Sequence, residues 1–327
     1  METLISYTDK FQLSLRDVEY ERKTKLMKMF CKTVFVVIFV YTVGFCVAQN
    51  EIDNHKSWIY VPTNSCGETR TLLKHRIIGG HRAALGELPW MARIGRKLTT
   101  RFGRILEFFC GGALISRFYV LSAAHCYNKN INVVRLGENS EDRTQNCDFK
   151  GCAPPPQDIR VGNFIKHYKY SPSDLKNDIM LIQLRRPAIL NDFVTPVCLP
   201  RGELLNIDLV GKEVKIAGWG QMSHKHAFNS PHLMNAFIPV IERTECEKRF
   251  KKSLLTANQY CAGFPSGSDS CGGDSGGPMS KEYESDHNLK TYVFGIVSYG
   301  LARCGRGPAV YTRVSSYMKW ILDSIRK

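Results

Sequence analysis

The 327-residue chain contains no Cys-x-x-Cys pair, although it carries twelve cysteines. That absence removes zinc ribbons and thioredoxin-like redox sites, which bring two sulfurs together over that spacing. No tandem repeat is visible, so solenoids and propellers drop out. No long helical periodicity runs through the body of the chain, which argues against a bundle. No nucleic-acid-binding motif accompanies the charge, and nucleic acid is left out as a partner. Acidic residues are in short supply, 30 against 45 basic ones, for a net charge of +15. Such an excess suits an acidic partner surface, anionic glycans or lipid headgroups, or simply a solvated basic face.

Twelve cysteines without metal spacing argue for disulfides, and disulfides require export. The export signal lies deep in the chain. Arg22, Lys23, Lys25, Lys28 and Lys32 precede a charge-free, mostly apolar run, Thr33 to Ala48. The run is shorter than a usual membrane helix, which favours the core of a signal peptide. Its basic flank keeps the preceding side cytoplasmic and sends the body across. Translation from Met27 or Met29 instead of Met1 restores an ordinary signal peptide. The competing reading is an uncleaved type II anchor that leaves the body outside the cell. Residues 1–49 are thus an N-terminal extension with a signal peptide or anchor. Residues 50–76, with Pro62, Asn64, Ser65 and Gly67, read as an exposed prosegment linker, and 77–327 as the main domain.

Short apolar segments then recur between turn residues: 105–109, 119–122, 131–135, 179–184, 214–218 and 292–299. This is an all-β pattern. At the end Tyr317, Trp320, Ile321 and Ile325 recur at close to helical spacing and predict a terminal helix docked on the β domain.

Three motifs carry chemistry. Ala123-Ala124-His125-Cys126, Asn177-Asp178-Ile179-Met180 and Asp269-Ser270-Cys271-Gly272-Gly273-Asp274-Ser275-Gly276-Gly277-Pro278 supply a base, an acid and a nucleophile in the order His, Asp, Ser. That is one of three orders in which unrelated folds arrange serine hydrolysis. A histidine titrates near neutrality and suits proton exchange with a hydroxyl. Taken alone, His125 could be an ordinary half-buried histidine and Asp178 a turn residue; their company changes that.

On these motifs, residues 77–327 resemble the chymotrypsin-like, trypsin-type serine proteases over the entire domain. The resemblance implies an all-β fold of two six-stranded antiparallel barrels with the active site between them and a C-terminal helix. It implies a serine endopeptidase in which His125 is the general base, Asp178 orients it and Ser275 attacks, with the amides of Gly273 and Ser275 as the oxyanion hole. Asp269 would floor the specificity pocket and select Arg or Lys. Ser298 and Gly300 would offer backbone hydrogen bonds to an extended substrate, and Ala309, where the family usually has glycine, would narrow the pocket. Leu73-Lys74-His75-Arg76 before Ile77-Ile78-Gly79-Gly80 implies a zymogen cut after Arg76, whose new Ile77 amine pairs with Asp274. An upstream trypsin-like protease would make that cut, and a serpin-type inhibitor would end the activity.

The resemblance also implies disulfide pairings: Cys66–Cys198, Cys110–Cys126, Cys246–Cys261 and Cys271–Cys304, with Cys31 and Cys46 leaving with the export segment. Cys147 and Cys152, followed by Ala153-Pro154-Pro155-Pro156-Gln157-Asp158, make a fifth pair. That short loop resembles the catalytic domains of arthropod clip-domain proteases, which act in extracellular cascades of immunity, melanisation and patterning. The six-cysteine clip module is absent, since only Cys31, Cys46 and Cys66 precede Ile77. No cofactor is required; calcium is the candidate, at Glu138, Glu141 and Asp142, in the loop that binds it in some relatives. The expected product is a secreted endopeptidase of protein substrates. A digestive trypsin is the nearest alternative, and a catalytically silent binding scaffold is the one from a different class.

Overall fold

Apolar segments bounded by turns become strands here because the ladder pairs every backbone N–H and C=O while the side chains fill a common interior. In the computed structural model the chain starts with β1 (His81–Arg82), β2 (Met91–Thr100), β3 (Gly103–Ser116), β4 (Tyr119–Ser122), β5 (Val133–Leu136), β6 (Cys147–Asp148), β7 (Gly151–Cys152), β8 (Gln157–Lys166) and β9 (Met180–Leu184). It continues with β10 (Glu213–Gly218), β11 (Gln221–Ser223), β12 (His226–Asn229), β13 (Met234–Ile241), β14 (Gln259–Ala262), β15 (Pro278–Ser285), β16 (Asn288–Tyr299) and β17 (Ala309–Arg313). The structure describes residues 51–326 apart from 71–79, 102, 143, 145, 224–225, 251–254, 264–272, 286–287 and 301–306. Residues 55–326 form one structural unit.

Two closed barrels result. The first runs β2-β3-β4-β9-β8-β5 and closes through β2 and β5. The second runs β13-β10-β15-β16-β17-β14 and closes through β13 and β14, with β1 added outside on β13. Closure removes the sheet edges. Ile94, Leu114, Val120, Val134, Ile159 and Ile182 fill the first interior, and Ile238, Val240, Met279, Phe294 and Tyr311 the second.

The apolar segments of the sequence fall inside strands, with two shifts, one of them only the single residue Ile179 before β9. The segment 131–135 is a strand only from Val133 on, because the Ile131 N–H closes a turn onto the Asn128 carbonyl at 3.0 Å. The terminal helix is a 3-10 turn, Val314–Tyr317, running into Met318–Ser324. Tyr317, Ile321 and Ile325 are buried, while Trp320 is half-buried against the His167 ring, 5.2 Å away between centroids.

The segment 51–70 is only partly the exposed linker expected: Asn64 and Ser65 are exposed, while Ser57, Val61, Cys66 and Gly67 are buried. Its 3-10 turn Lys56–Tyr60 is held at the C-terminal helix by His55 Nε2 against Asp323 Oδ1 at 3.0 Å. Val61 and Cys66 are buried, and Cys66 is bonded to Cys198. Beside that bond the Gly67 N–H donates to the Pro196 carbonyl at 2.8 Å, and the Thr291 N–H donates to the Gly67 carbonyl at 3.0 Å. Arg70 reaches Asp148 at 3.0 Å, on the small hairpin pinned by the Cys147–Cys152 disulfide. The Cys66–Cys198 bond is the part of this attachment that the resemblance implies; the backbone pairing beside it leaves no apolar stripe in the sequence.

Candidate active site

Strand register creates the first half of the site. β4 and β9 are antiparallel neighbours, with Ser122 opposite Met180. His125 follows the end of β4 by three residues and Asp178 precedes β9 by two, so both emerge at the same end of the first barrel. His125 lies in a 3-10 turn, Ala124–Cys126, tied to β3 by the Cys110–Cys126 disulfide.

Asp178 is wholly buried, at 0% exposure. Its Oδ2 is 2.7 Å from His125 Nδ1, and its Oδ1 accepts the His125 backbone N–H at 2.8 Å. A third donor comes from the second barrel, where Ser298 Oγ donates to Oδ2 at 2.5 Å. A carboxylate without solvent needs such company. Ser298 lies at a break in the β16–β17 register, between Val297 and Tyr299, and such a bulge re-aims a side chain. Thr312 Oγ1, on β17, donates to the Asp178 carbonyl at 2.8 Å.

The turn before Asp178 is also held. Asn177 adopts a left-handed φ of 54°, a conformation its short amide tolerates. It donates from Nδ2 to the Lys169 carbonyl at 2.8 Å and accepts at Oδ1 from the Tyr317 hydroxyl at 3.0 Å. Burial pushes the Tyr170 phenol up to about 12, and the Asp178 charge adds to it. These tyrosines are neutral hydroxyls at neutral pH.

Ser275 enters from the second barrel, three residues before β15. Its carbonyl accepts the Gly111 N–H of β3 at 2.8 Å, and the Cys126 Sγ lies 3.5 Å from the same oxygen. The Ser275 backbone thus abuts the disulfide that holds His125. Gly276 makes this approach feasible. At φ +80° an added Cβ would lie 2.6 Å from the Gly111 carbonyl oxygen. Gly273 has φ +100°, and a Cβ there would meet the Gly220 Cα at 3.0 Å. Both conformation and space therefore require glycine where the oxyanion amide is expected. Between them the Asp274 carboxylate accepts the Gly220 N–H at 2.7 Å.

Of the residues expected from the sequence, His125, Asp178, Ser275, Gly273 and Asp274 gather at this seam. Ala309 is buried on β17 opposite Ala262, and Gly300 is exposed at the end of β16. Ser298 does more than offer backbone, since its hydroxyl holds Asp178. Asp269, Arg76, Ile77, Cys271 and Cys304 lie outside the described residues. Four of the expected disulfides are present: Cys66–Cys198, Cys110–Cys126, Cys147–Cys152 and Cys246–Cys261. Sequence reasoning missed Thr312, which stands in no motif, and missed the supporting roles of Asn177, which it read only as the neighbour of Asp178, and of Tyr317, which it read only as part of the terminal helix.

In the calcium candidate loop the carboxylates have other partners. Glu138 accepts from Arg93 and Arg135, each at 2.7 Å, and Glu141 accepts from Arg93 at 2.7 Å. Asp142 accepts from the Thr144 hydroxyl at 2.7 Å. Among the described residues one other group has metal-ligand types together, Cys110, His125 and Cys126. Its sulfurs are joined in a disulfide, so it offers no thiolate.

Comparison with known proteins gives one consistent result. The family model described as Trypsin matches residues 77–321. The CLIP domain-containing serine protease HP8 of Bombyx mori is 38% identical over 266 residues, covering 77% of this chain and 70% of that protein. Melanization protease 1 of Drosophila melanogaster is 37% identical over 279 residues, covering 80% and 68%. The crystal structure of the Drosophila Grass clip serine protease of the Toll pathway superposes with a TM-score of 0.67 at 30% identity, covering 82% of this chain and 76% of that one.

Proposed function

The chain belongs to the trypsin family of serine proteases, and from that premise we propose that it is made as a zymogen and cut after Arg76. The cleaved enzyme then hydrolyses peptide bonds after Arg or Lys in protein substrates. One observation carries the catalytic part of this reading: a wholly buried carboxylate grips both the ring and the backbone of His125. In this reading the Nδ1 proton lies on the Asp178 side and Nε2 takes a proton from Ser275. Ser275 Oγ bonds to the scissile carbonyl carbon, and the displaced electron pair rests on the carbonyl oxygen facing the Gly273 and Ser275 amides. His125 returns its proton to the leaving amine. Water then cleaves the acyl-enzyme by the same exchange.

Substrate choice falls to Asp269, a carboxylate that pairs with a guanidinium or ammonium. The methyl of Ala309 replaces a hydrogen beside that pocket and bears on Arg against Lys. On cleavage the Ile77 amine pairs with Asp274, since a buried charge of either sign needs its partner.

The setting is extracellular, because disulfides of this number persist in oxidising compartments. Among the described residues no helix is long and apolar enough to cross a membrane, and the apolar run 33–48 lies outside them. Relatives named for melanisation and for the Toll pathway support a place in such a proteolytic cascade, with an upstream activating protease and a serpin-type inhibitor as partners. The test is to cut the purified zymogen after Arg76, confirm Ile77 as the new N-terminus, and compare Arg and Lys peptides beside a Ser275→Ala control. Hydrolysis only by the cleaved wild type is expected. Absence of hydrolysis by folded, correctly cleaved protein would point to a silent scaffold.

A further inference from the structure

Arg93 is a charged side chain in the wall of the first barrel, and its surroundings are unusual for such a position. It faces another arginine, Arg135, across the β2–β5 ladder. Like charges directly opposite repel, so something must neutralise them. Glu138 does so, with one oxygen on each guanidinium at 2.7 Å. Arg93 Nη1 also donates to Glu141 at 2.7 Å, while Arg135 goes on to Asp158 at 2.8 Å. The Arg93 side chain is 6% exposed and Glu138 4%. A guanidinium in that position supplies what a divalent ion would supply to the same carboxylates, fixed positive charge beside the buried Glu138 and the half-exposed Glu141.

The same guanidinium has a second contact set. It lies 4.4 Å from the Phe108 ring centroid and 5.2 Å from that of Trp219. Trp219 is 4% exposed and directly precedes Gly220. Gly220 is the residue whose N–H holds Asp274, and its Cα is the nearest atom to the space a Cβ on Gly273 would need. One planar cation therefore touches the acidic loop on one side and, on the other, the residue that carries the backbone behind the oxyanion amides.

We propose that Arg93 is the built-in cation of the loop 138–142 and, through Trp219, a positioning residue for the Gly220, Asp274 and Gly273 backbone. The activity half of this proposal rests on the protease reading above. Arg93 touches no substrate, so its removal loosens geometry in the transition state rather than substrate affinity.

The experiment uses the full chain cleaved after Arg76, as wild type, Arg93→Met and Arg93→Lys. Arg93→Met is expected to lower kcat by roughly 10-fold or more with KM within about 2-fold, because the loss is in transition-state positioning. Calcium chloride should raise its melting temperature and restore part of kcat, by refilling the vacated carboxylates; chelator should reverse both. Wild type should respond to neither calcium nor chelator. Arg93→Lys, a point charge without the plane, should stay calcium-insensitive yet keep a kcat deficit; it replaces the Met variant should that one fail to fold. Wild-type kcat in both variants would overturn the positioning role. A calcium-dependent melting temperature in wild type would overturn the cation role. Failure of cleaved wild type to hydrolyse any peptide would instead sink the protease reading, while the melting curves still decide the cation role.

Discussion

In the first barrel both functional side chains leave from neighbouring strand ends, and each is fastened by hydrogen bonds to named atoms. In the second barrel the nucleophile rides on a glycine-rich turn, placed by backbone contacts rather than side-chain ones. The two barrels have the same strand number and closure, yet they contribute different kinds of order. The first holds His125 against a buried carboxylate through its ring and its backbone. The second supplies a backbone shape whose fit depends on missing side chains and on the partner found by Asp274. Such a division fits the proposed activation by cleavage, in which the new Ile77 terminus would act on the backbone-shaped half through Asp274.

The comparison can be broken most directly at its chemical centre. Ser275→Ala should lower kcat of the cleaved enzyme by about 10⁴- to 10⁶-fold with an unchanged melting temperature, read by peptide hydrolysis and thermal unfolding. Asp178→Asn tests the rigid half. It should cost about 10⁴-fold in kcat, since an amide at that position favours the wrong imidazole tautomer. A loss under 10-fold would mean that the Asp178 grip on His125 is not what prepares the base.

Ser298→Ala probes the seam itself, because Ser298 is the second barrel's hydroxyl on the first barrel's acid. One lost hydrogen bond to a carboxylate, worth about 1.5–3 kcal/mol, should reduce kcat by roughly 10- to 100-fold with KM little changed. An unaltered kcat would show that the two halves do not depend on each other at this atom. Replacing Cys66 and Cys198 together by serine should leave kcat within about 2-fold but lower stability by roughly 2–5 kcal/mol in chemical denaturation.

The smallest effect concerns pH. Burial opposes the charge on Asp158, but the hydrogen bond and charge of Arg135, with help from Lys97, hold its carboxyl below the usual range. A depressed folded value means that the stability is complete above about pH 4 and is lost as pH falls through the folded pKa. Asp158→Asn should therefore flatten the acid limb of the melting-temperature profile, by about 1 kcal/mol for this partly buried pair. A steeper limb in the variant would contradict the assignment.

Much of the site was legible because its residues travel in short motifs. His125, Asp178 and Ser275 each stand in a local context that few other functions require, and their order along the chain is informative. The supporting residues have no such context. Ser298 acts through a bulge that exists only when β16 meets β17, and Thr312 is one more polar residue on a barrel strand. Arg93 reads as an ordinary polar position in β2 until the barrel closes and brings Arg135 and Glu138 to it. The strands themselves showed as apolar runs, but β8, with its mixed burial, gave little alternation to find. The prosegment misled for the opposite reason. Its polar residues predicted exposure throughout, whereas the expected Cys66–Cys198 bond and a few backbone hydrogen bonds bury part of it.

That last attachment has a spatial consequence. Hydrolysis after Arg76 would separate two polypeptides, but Cys66–Cys198 crosses the break, so no mass is lost and the new enzyme inherits the whereabouts of its N-terminal piece. A non-reducing gel would show one band before and after, and a reducing gel two. If the apolar run is clipped off in export, the active molecule diffuses in three dimensions and meets targets by concentration. If the run stays in a bilayer, the same sulfur–sulfur bond keeps proteolysis on that cell's surface, where encounters are two-dimensional and neighbours are cut first. One covalent link thus converts a choice made at the N-terminus into the radius over which the enzyme acts.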